Sequence, residues 1–582
     1  MIAVITVVAF SPSLENDFVL WDDAGNFLYN PNFRGLGWRN ILWMFTTFHL
    51  GPYMPVTWLT LGADYLVWGL DPFGYHLTSL VIHAGAAVLC YSVARRLIAA
   101  ALSRGRGDTV VRAGSAVAAL LFAIHPLRVE SVAWASERRD VVSGALALLT
   151  VLAYLRSTED ERPRRWYRIA VGCFTLAALA KAIVAPLPIV LLILDVYPLK
   201  RLSTAPGARR VRALVVEKAP FFAVAAVTGA LAIVGQRHGG ALASLTDVGL
   251  ARRVAFSAYS MAFYLGKLVW PVNLSPLYAR PDGVGVAPTL AAGATLVVIT
   301  AAAVALRRRF PGLLAAWAAY LVLGLPVSGL VHTAFHIAAD RYTYLPAIGW
   351  SIVAGGLVAL AWNRTAWRWA STALAILAVA ALGAVTWRQT QFWRDTEALW
   401  RRAAAAAPSA FAYAALAEAQ LERGADAEAL ESARRALALD PASPWANATL
   451  ADVILSTGGR PDDAVQLARR AVERGPALFV ARFSLARALG EAGKTNDAIR
   501  EYRAALQLDP TSVMAYNNLG VLLWRAGKTD EAEQLFRHAL ALYPDHELAH
   551  VNLGHLLRGV GREEEGVKHL RHAEHLGTRG AR

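Results

Sequence analysis

The chain has almost no cysteine. Its two, Cys90 and Cys173, both lie in apolar runs. They read as packed thiols, and neither a disulfide framework nor a zinc spacing can be built from them. Acidic residues are scarce where the chain is most apolar. Of 58 Lys/Arg and 43 Asp/Glu, 25 and 25 lie from Arg388 onward, which leaves 33 basic against 18 acidic in residues 1–387. The whole net charge of +15 therefore belongs to the first part. A basic excess can mean nucleic acid, but this one sits between apolar runs, which is the positive-inside pattern. Charges inside the apolar runs are also rare. Asp195 is nearly the only one, which argues against a transporter or flippase with a mid-membrane ion site. Met1 to Phe10 is apolar but about half the roughly 20 residues a spanning helix needs. It has no basic flank and no cleavage site, so nothing supports a signal peptide.

What is present is apolar sequence with regular punctuation. Apolar residues make up 56% of the 582, and mean hydropathy is +0.38. The expected spans are 76–95, 112–126, 139–155, 166–182, 183–198, 219–236, 287–306, 311–331, 345–363 and 367–387. With the short first helix they make about 11. Basic clusters fall at alternate ends: Arg95, Arg96, Arg104, Arg106 and Arg112; Arg156, Arg162, Arg164, Arg165 and Arg168; Lys200 to Lys218; Arg307 to Arg309; Arg364 and Arg368. All are expected to face the cytoplasm. Arg252 to Trp270 is apolar enough to span, but a crossing would invert everything after it. It is expected to lie in the interface or re-enter. Residues 12–75 are loop-like and rich in Trp and Tyr, the residues of the headgroup level, and are expected to form short helices along the surface.

This threading brings separate polar segments to one face. Asp22-Asp23 in the first outer loop, His125 to Asp140, Lys181, Lys267 to Asp282, and His332 to Pro346 share the non-cytoplasmic side, as does everything after about residue 387. Ionisable groups gathered at one membrane face are costly and read as functional. Adjacent carboxylates on a loop can diverge, one toward the reacting atoms and one toward its supports. The plainer reading is an N-cap or a solvated turn. Arg138 or Arg139 can hold a phosphate through paired donors, with Glu130 orienting an Arg or an acceptor. The alternative is a hydrated loop with internal ion pairs. His332 and His336 would share a face if the segment were helical, but no Glu separates them in the zincin manner. Arg341, between Asp340 and Tyr342, suits a phosphate or a surface anchor. Lys181 and Lys267 can neutralise a lipid phosphate or snorkel to the headgroups.

The C-terminal part repeats. Pro408, Pro441, Pro476, Pro510 and Pro544 recur at roughly 34 residues, the tetratricopeptide period. The clearest unit carries Tyr516, Leu519, Gly520, Ala532, Phe536, Ala539 and Pro544. About five such units predict an α-solenoid that binds an extended peptide or a partner protein.

Residues 18–30, 51–83, 125–143, 267–278 and 332–346, followed by these repeats, resemble the transmembrane, tetratricopeptide-containing O-mannosyltransferases and their bacterial relatives, within the GT-C superfamily. The resemblance is carried by Trp21-Asp22-Asp23; Gly74-Tyr75-His76; His125-Pro126 with Glu130, Trp134 and Arg139-Asp140; Trp270-Pro271 with Leu274-Ser275; and Asp340-Arg341-Tyr342 with Tyr344-Leu345-Pro346. The short first helix departs from the family pattern. The resemblance implies an all-α chain: a GT-C-type transmembrane bundle over 1–387 and a tetratricopeptide domain over 388–582. It implies a polyprenyl-phosphate sugar donor, mannose-like, with transfer to a protein or other hydroxyl on the non-cytoplasmic face of a bacterial inner membrane. Asp22 or Asp23 is the expected base, the other positioning it. Arg139, Arg341, Lys181 and Lys267 are the expected donor-phosphate ligands, supported by His125, Glu130, Asp140, His336, Asp340 and Tyr342. No metal is committed to, although one can sit at Asp22/Asp23, and no nucleic acid is expected. The rival reading is a non-catalytic membrane scaffold whose repeats dock envelope proteins.

Overall fold

Proline and glycine set where the helices of this chain begin and how closely they approach. A computed structural model describes residues 1–102, 107–159, 161–202, 207–238, 248–279, 285–330, 336–362 and 365–580. Arg104, Arg106, Asp282, His332 and Arg364 lie outside the described residues. The chain is all-α apart from one two-stranded ribbon among the described residues. It divides into two compact units, Met1–Asn26 with Asn32–Leu399, and Phe27–Pro31 with Trp400–Arg582.

The first unit runs α1 (Ile2–Phe10), α2 (Trp38–Thr46), α3 (Pro55–Trp68), α4 (Pro72–Ala101), α5 (Asp108–Ala123), α6 (Val129–Ala133), α7 (Arg138–Glu159), α8 (Pro163–Ala180), α9 (Leu187–Val196), α10 (Ala208–Glu217), α11 (Ala219–His238) and α12 (Leu250–Val269). Strand β1 (Tyr278–Ala279) precedes α13 (Val286–Ala305) and α14 (Pro311–Gly324). Strand β2 (His336–Ala338) precedes α15 (Ala347–Trp362) and α16 (Thr365–Thr390). Proline opens α3, α4, α8 and α14, where its missing N–H has no intrahelical partner to lose. Asp71 caps α4 by accepting from Phe73 N at 3.0 Å.

Helices α5 and α15 pack through small residues. A Cβ on Gly355 would stand 2.2 Å from the Gly114 carbonyl oxygen, and one on Gly114 would stand 2.5 Å from the Gly355 oxygen. Backbones approach this closely only where side chains are absent, a common device between membrane helices. On the outside the chain is apolar. Val286, Leu290, Val297 and Val298 on α13 are exposed, as are Trp367, Trp369, Leu374, Ile376 and Leu377 on α16. Such faces call for lipid rather than water.

Among the described residues, five helices are long and apolar enough to cross a membrane: Pro72–Ala101, Ala135–Glu159, Ala219–Arg237, Val286–Ala305 and Ala366–Trp393. A sixth is Asp108–Ala123 with Pro126–Ala133, bent by 53° at its break. Ile2–Glu15, Ala182–Val196, Pro311–Val327 and Ala347–Trp362 are apolar but shorter. Several expected spans are thus cut back. The run 183–198 yields only the ten-residue α9, and the run 311–331 leaves α14 at Gly324, ahead of Pro326. The run 112–126 stops at Ala123, three residues before Pro126. The segment expected to re-enter is the single helix α12, which is not among the candidate spans.

Two of the alternatives open in the sequence do not hold. The segment from His125 to Asp140 is not a hydrated loop: all of it is buried except Arg139, which is half-buried. The chain bends by 53° after α5, and the short helical turns that follow pack against α4, α16 and the turn at Asp340, where their polar groups meet partners from other segments. Nor does His336 sit on a helix. It starts β2, which pairs antiparallel with β1, Tyr278 opposite Ala338 and Ala279 opposite His336. The i, i+4 argument therefore does not apply to it.

The second unit is a run of paired helices: α17 (Thr396–Ala406), which begins in the first unit, α18 (Ala410–Glu422), α19 (Asp426–Leu439), α20 (Pro444–Ser456), α21 (Pro461–Arg474), α22 (Phe479–Glu491), α23 (Thr495–Leu508), α24 (Val513–Arg525), α25 (Thr529–Leu542), α26 (Glu547–Gly559) and α27 (Glu563–Gly580). The turn inside each pair from α18 onward carries a glycine at positive φ: Gly424, Gly458, Gly493, Gly527 and Gly561. Ser409, Ser443 and Ser512 cap the first helices of their pairs by accepting from Ala412, Ala446 and Ala515 N–H, and His546 does the same for Ala549. A Cβ on Gly520 would meet the Phe536 ring at 2.7 Å. That is the expected small-against-aromatic packing of the two helices.

Candidate active site

The two adjacent aspartates part company. Asp23 is 1% exposed. Its Oδ1 accepts from Ser136 N at 2.9 Å and, over a short contact, from the Ser136 hydroxyl. Its Oδ2 accepts from Val19 N at 3.1 Å. Asn26 Nδ2 donates to the same Ser136 hydroxyl at 2.9 Å. Asp23 thus pins the first outer loop to the turn just ahead of α7. Burial raises its pKa to about 7, against the pull of the Ser136 and Val19 hydrogen bonds. Asp22 faces elsewhere. It is partly buried, lies within electrostatic reach of Arg139, Glu137 and Arg341, and takes no hydrogen bond from any described residue. Burial raises its pKa above the ordinary aspartate value, and Arg139 opposes this. Each oxygen of Asp23 thus accepts at least one hydrogen bond from within the protein. Among the described residues no group of three or more His, Cys, Asp or Glu is arranged to hold a metal ion.

The adjacent arginines divide in the same way. Arg138 is fully buried. Its Nε donates to Ser79 Oγ at 2.9 Å, Nη2 donates to the Tyr75 carbonyl at 2.6 Å, and Nη1 stands 2.7 Å from Asp64 Oδ2. It ties α7 to α3 and α4. Arg139 turns to the outer side and grips Glu137 with both Nε (2.9 Å) and Nη2 (2.5 Å). Of the two, Arg139 is the one at the site.

Glu137, which the sequence did not single out, is the hub. Besides Arg139 it receives Lys181 Nζ at 2.9 Å and Arg341 Nε at 3.1 Å. Lys181 also bonds Asp140 Oδ1 at 2.7 Å, and Asp140 Oδ2 accepts from Ser131 Oγ at 3.1 Å. Arg341 also meets Glu130 over a short contact, and its backbone N–H donates to Glu130 Oε2 at 2.8 Å. Its guanidinium lies over the Trp134 ring at 5.4 Å and the Tyr342 ring at 5.0 Å. Trp134 stacks on Trp21 at 4.9 Å, the residue before Asp22. Three cations, three carboxylates and the Asp22 carboxylate are thereby gathered from four segments distant in sequence.

The remaining predicted residues fall around this cluster. Lys267 lies within electrostatic reach of Asp340, and its ammonium donates to the Val272 carbonyl at 2.6 Å and lies over the Phe263 and Tyr278 rings. The turn after α12 curls back on it, with the Val272 and Asn273 carbonyls as acceptors. His125 braces the bend, with Nε2 3.0 Å from the Leu268 carbonyl and Nδ1 accepting from Leu127 N at 3.3 Å. His336 Nε2 lies 3.1 Å from the Tyr342 hydroxyl. Asp340 accepts from the Tyr278 hydroxyl at 3.0 Å, and burial together with the nearby Glu130 charge raises its pKa well above the ordinary aspartate value. Lys181 does not snorkel; its charge is consumed inside.

The tetratricopeptide repeat family model matches residues 483–547. The chain is 34% identical over 140 residues to protein O-mannosyl-transferase Tmtc3 of Drosophila melanogaster, covering 22% of this chain and 15% of that protein. It is 32% identical over 168 residues to protein O-mannosyl-transferase TMTC4 of Homo sapiens, covering 27% and 22%. The chain thus spans less than a quarter of the length of these curated relatives. Among solved structures, MamA matches 28% of this chain and 96% of its own, at 21% identity and a TM-score of 0.25. YrrB matches 30% and 91%, at 20% identity and a TM-score of 0.24. The chain thus carries tetratricopeptide repeats and, over the matched segments, is similar to protein O-mannosyl-transferases.

Proposed function

We propose that this chain is a membrane glycosyltransferase of the GT-C type, moving a mannose-like sugar from a polyprenyl-phosphate donor to a hydroxyl of a protein or other acceptor. The observation that carries this reading is the division of labour at Asp22-Asp23. One carboxylate is fixed by three hydrogen bonds, while its neighbour is left without one beside two arginines. Asp22 takes the proton from the acceptor hydroxyl as the oxygen attacks the anomeric carbon. The bond from that carbon to the phosphate oxygen breaks, and its electron pair leaves with the polyprenyl phosphate. Arg139, Arg341 and Lys181 receive the growing negative charge. A single displacement of this kind inverts the anomeric centre and needs no sugar–enzyme intermediate. Asp23, Glu130 and Asp140 position these groups.

The bundle is built from about 11 apolar helices over roughly residues 1–387, the shorter ones completing it between the longer spans. The repeats from about residue 388 recruit or orient the acceptor. Both the site and the repeats lie on the periplasmic side of a bacterial inner membrane. Three contacts support a shared face: Asp17 N donates to the Arg394 carbonyl at 2.8 Å, Leu20 N to Thr396 Oγ1 at 2.9 Å, and Asn16 Nδ2 to the Thr390 carbonyl at 3.5 Å.

The test is a transfer assay on purified protein with a panel of polyprenyl-phosphate sugars. At least one donor is consumed by the wild type, and Asp22→Asn lowers its turnover by a factor of about 100 or more. Wild-type turnover in Asp22→Asn removes the aspartate from the mechanism. No consumption of any donor removes the glycosyltransferase reading.

A further inference from the structure

We infer that Glu137 is an internal counter-anion for the donor site: it fixes Arg139, Lys181 and Arg341 around one point and moderates their hold on phosphate, so that the polyprenyl-phosphate product can leave. This rests on the glycosyltransferase reading and adds a positioning residue to it. Glu137 is fully buried, and its carboxylate meets only cations. The other two acids of the cluster each have a further anchor: Glu130 holds the Arg341 backbone N–H, and Asp140 holds Ser131 Oγ. Glu137 has no such duty. All it does is gather positive charge.

The charge balance gives the reason. The three cations are matched by Glu130, Glu137 and Asp140, each in direct contact with at least one of them. The donor is a phosphodiester with one negative charge. The leaving group is a monoester, which carries between one and two at neutral pH. An unopposed trio of cations would therefore hold the product more tightly than the donor, and release would become slow. A buried carboxylate at their centre weakens that hold without removing the donors. Each cation keeps N–H groups for which no described acceptor is found: Nη1 of Arg139, Nη2 of Arg341 and one ammonium hydrogen of Lys181. Arg139 and Lys181 are also the members whose side chains reach the surface, each 16% exposed, while Glu137 is at 0%. A phosphate arriving from outside meets the cations first.

The experiment measures binding of a short-chain polyprenyl monophosphate, and of inorganic phosphate, to purified wild type, Glu137→Gln and Glu137→Asp by calorimetry, with kcat for transfer alongside. Glu137→Gln tightens both ligands by about tenfold, the worth of one competing charge contact, and lowers kcat. Glu137→Asp keeps the charge but shortens its reach, and falls between. A residue that merely held the fold would weaken binding and kcat together. Circular dichroism establishes which variants are folded, and Glu137→Asp decides if Glu137→Gln is not. Unchanged or weaker phosphate binding in a folded variant overturns the inference and leaves the donor reading standing. A wild type that binds no polyprenyl monophosphate overturns the donor reading itself.

Discussion

At the scale of single residues, two adjacent like pairs are each split by the backbone: Asp23 and Arg138 go inward, and Asp22 and Arg139 go to the site. The two aspartates answer pH differently. Asp22 must be ionised to accept a proton, and burial raises its pKa against the opposing pull of Arg139. The acid limb of kcat therefore lies above the ordinary aspartate range, and a pH–rate profile checks this. For Asp23 the effect is on stability. Its pKa is raised from 3.8 to about 7, so its contribution is full below the unfolded value and is lost as pH rises through about 7. Thermal melts in detergent at pH 5 and pH 8 should show a larger fall for the wild type than for Asp23→Asn. The variant should itself be less stable by about 1–3 kcal/mol, because an amide must present a donor to Ser136 or Val19 N–H. Equal falls in both proteins would remove the assignment. The sequence displayed the carboxylate pair but not which member is free, since that depends on Ser136, more than 100 residues away. Glu137 was hidden for a similar reason. Within Ser136-Glu137-Arg138-Arg139 an acid beside two bases reads as a local ion pair, and nothing in the sequence shows that Lys181 and Arg341 arrive from elsewhere.

At the scale of elements, periodic features were legible and single contacts were not. Proline spacing marked the repeats, and the turn glycines and serine caps follow the same phase. The apolar runs located α4, α7, α8, α11, α13, α15 and α16 to within a few residues. Composition misled where a polar segment is buried: His125 to Asp140 finds most of its partners on segments distant in sequence, which no window average reveals. A ribbon of two and three residues is likewise too short to leave an alternation. The crossing of α5 and α15 gives the prediction proper to this scale. Gly355→Val drives a side chain into the Gly114 carbonyl and should cost about 1–3 kcal/mol. Gly356→Val, whose Cβ would meet nothing within 4 Å, should be tolerated. Melting temperatures of the two variants check the contrast, and equal values would mean the helices can separate freely.

At the scale of the whole molecule, two stretches of the first unit that are far apart in sequence meet. The loop before Asp22 is hydrogen-bonded to the stretch from Thr390 to Thr396, so on the proposed membrane reading an even number of crossings separates them. A reporter enzyme active only in the periplasm, fused after residue 390, should be active, and so should one inserted near residue 35. Opposite outcomes for the two would break the shared face. The same clasp has a mechanical meaning. Thr396 both receives the Leu20 N–H and opens the helix from which the second unit is strung. The short loop ahead of Asp22 is therefore braced by a residue 376 positions further along the chain, so loosening that distant partner would loosen the seat of the carboxylate.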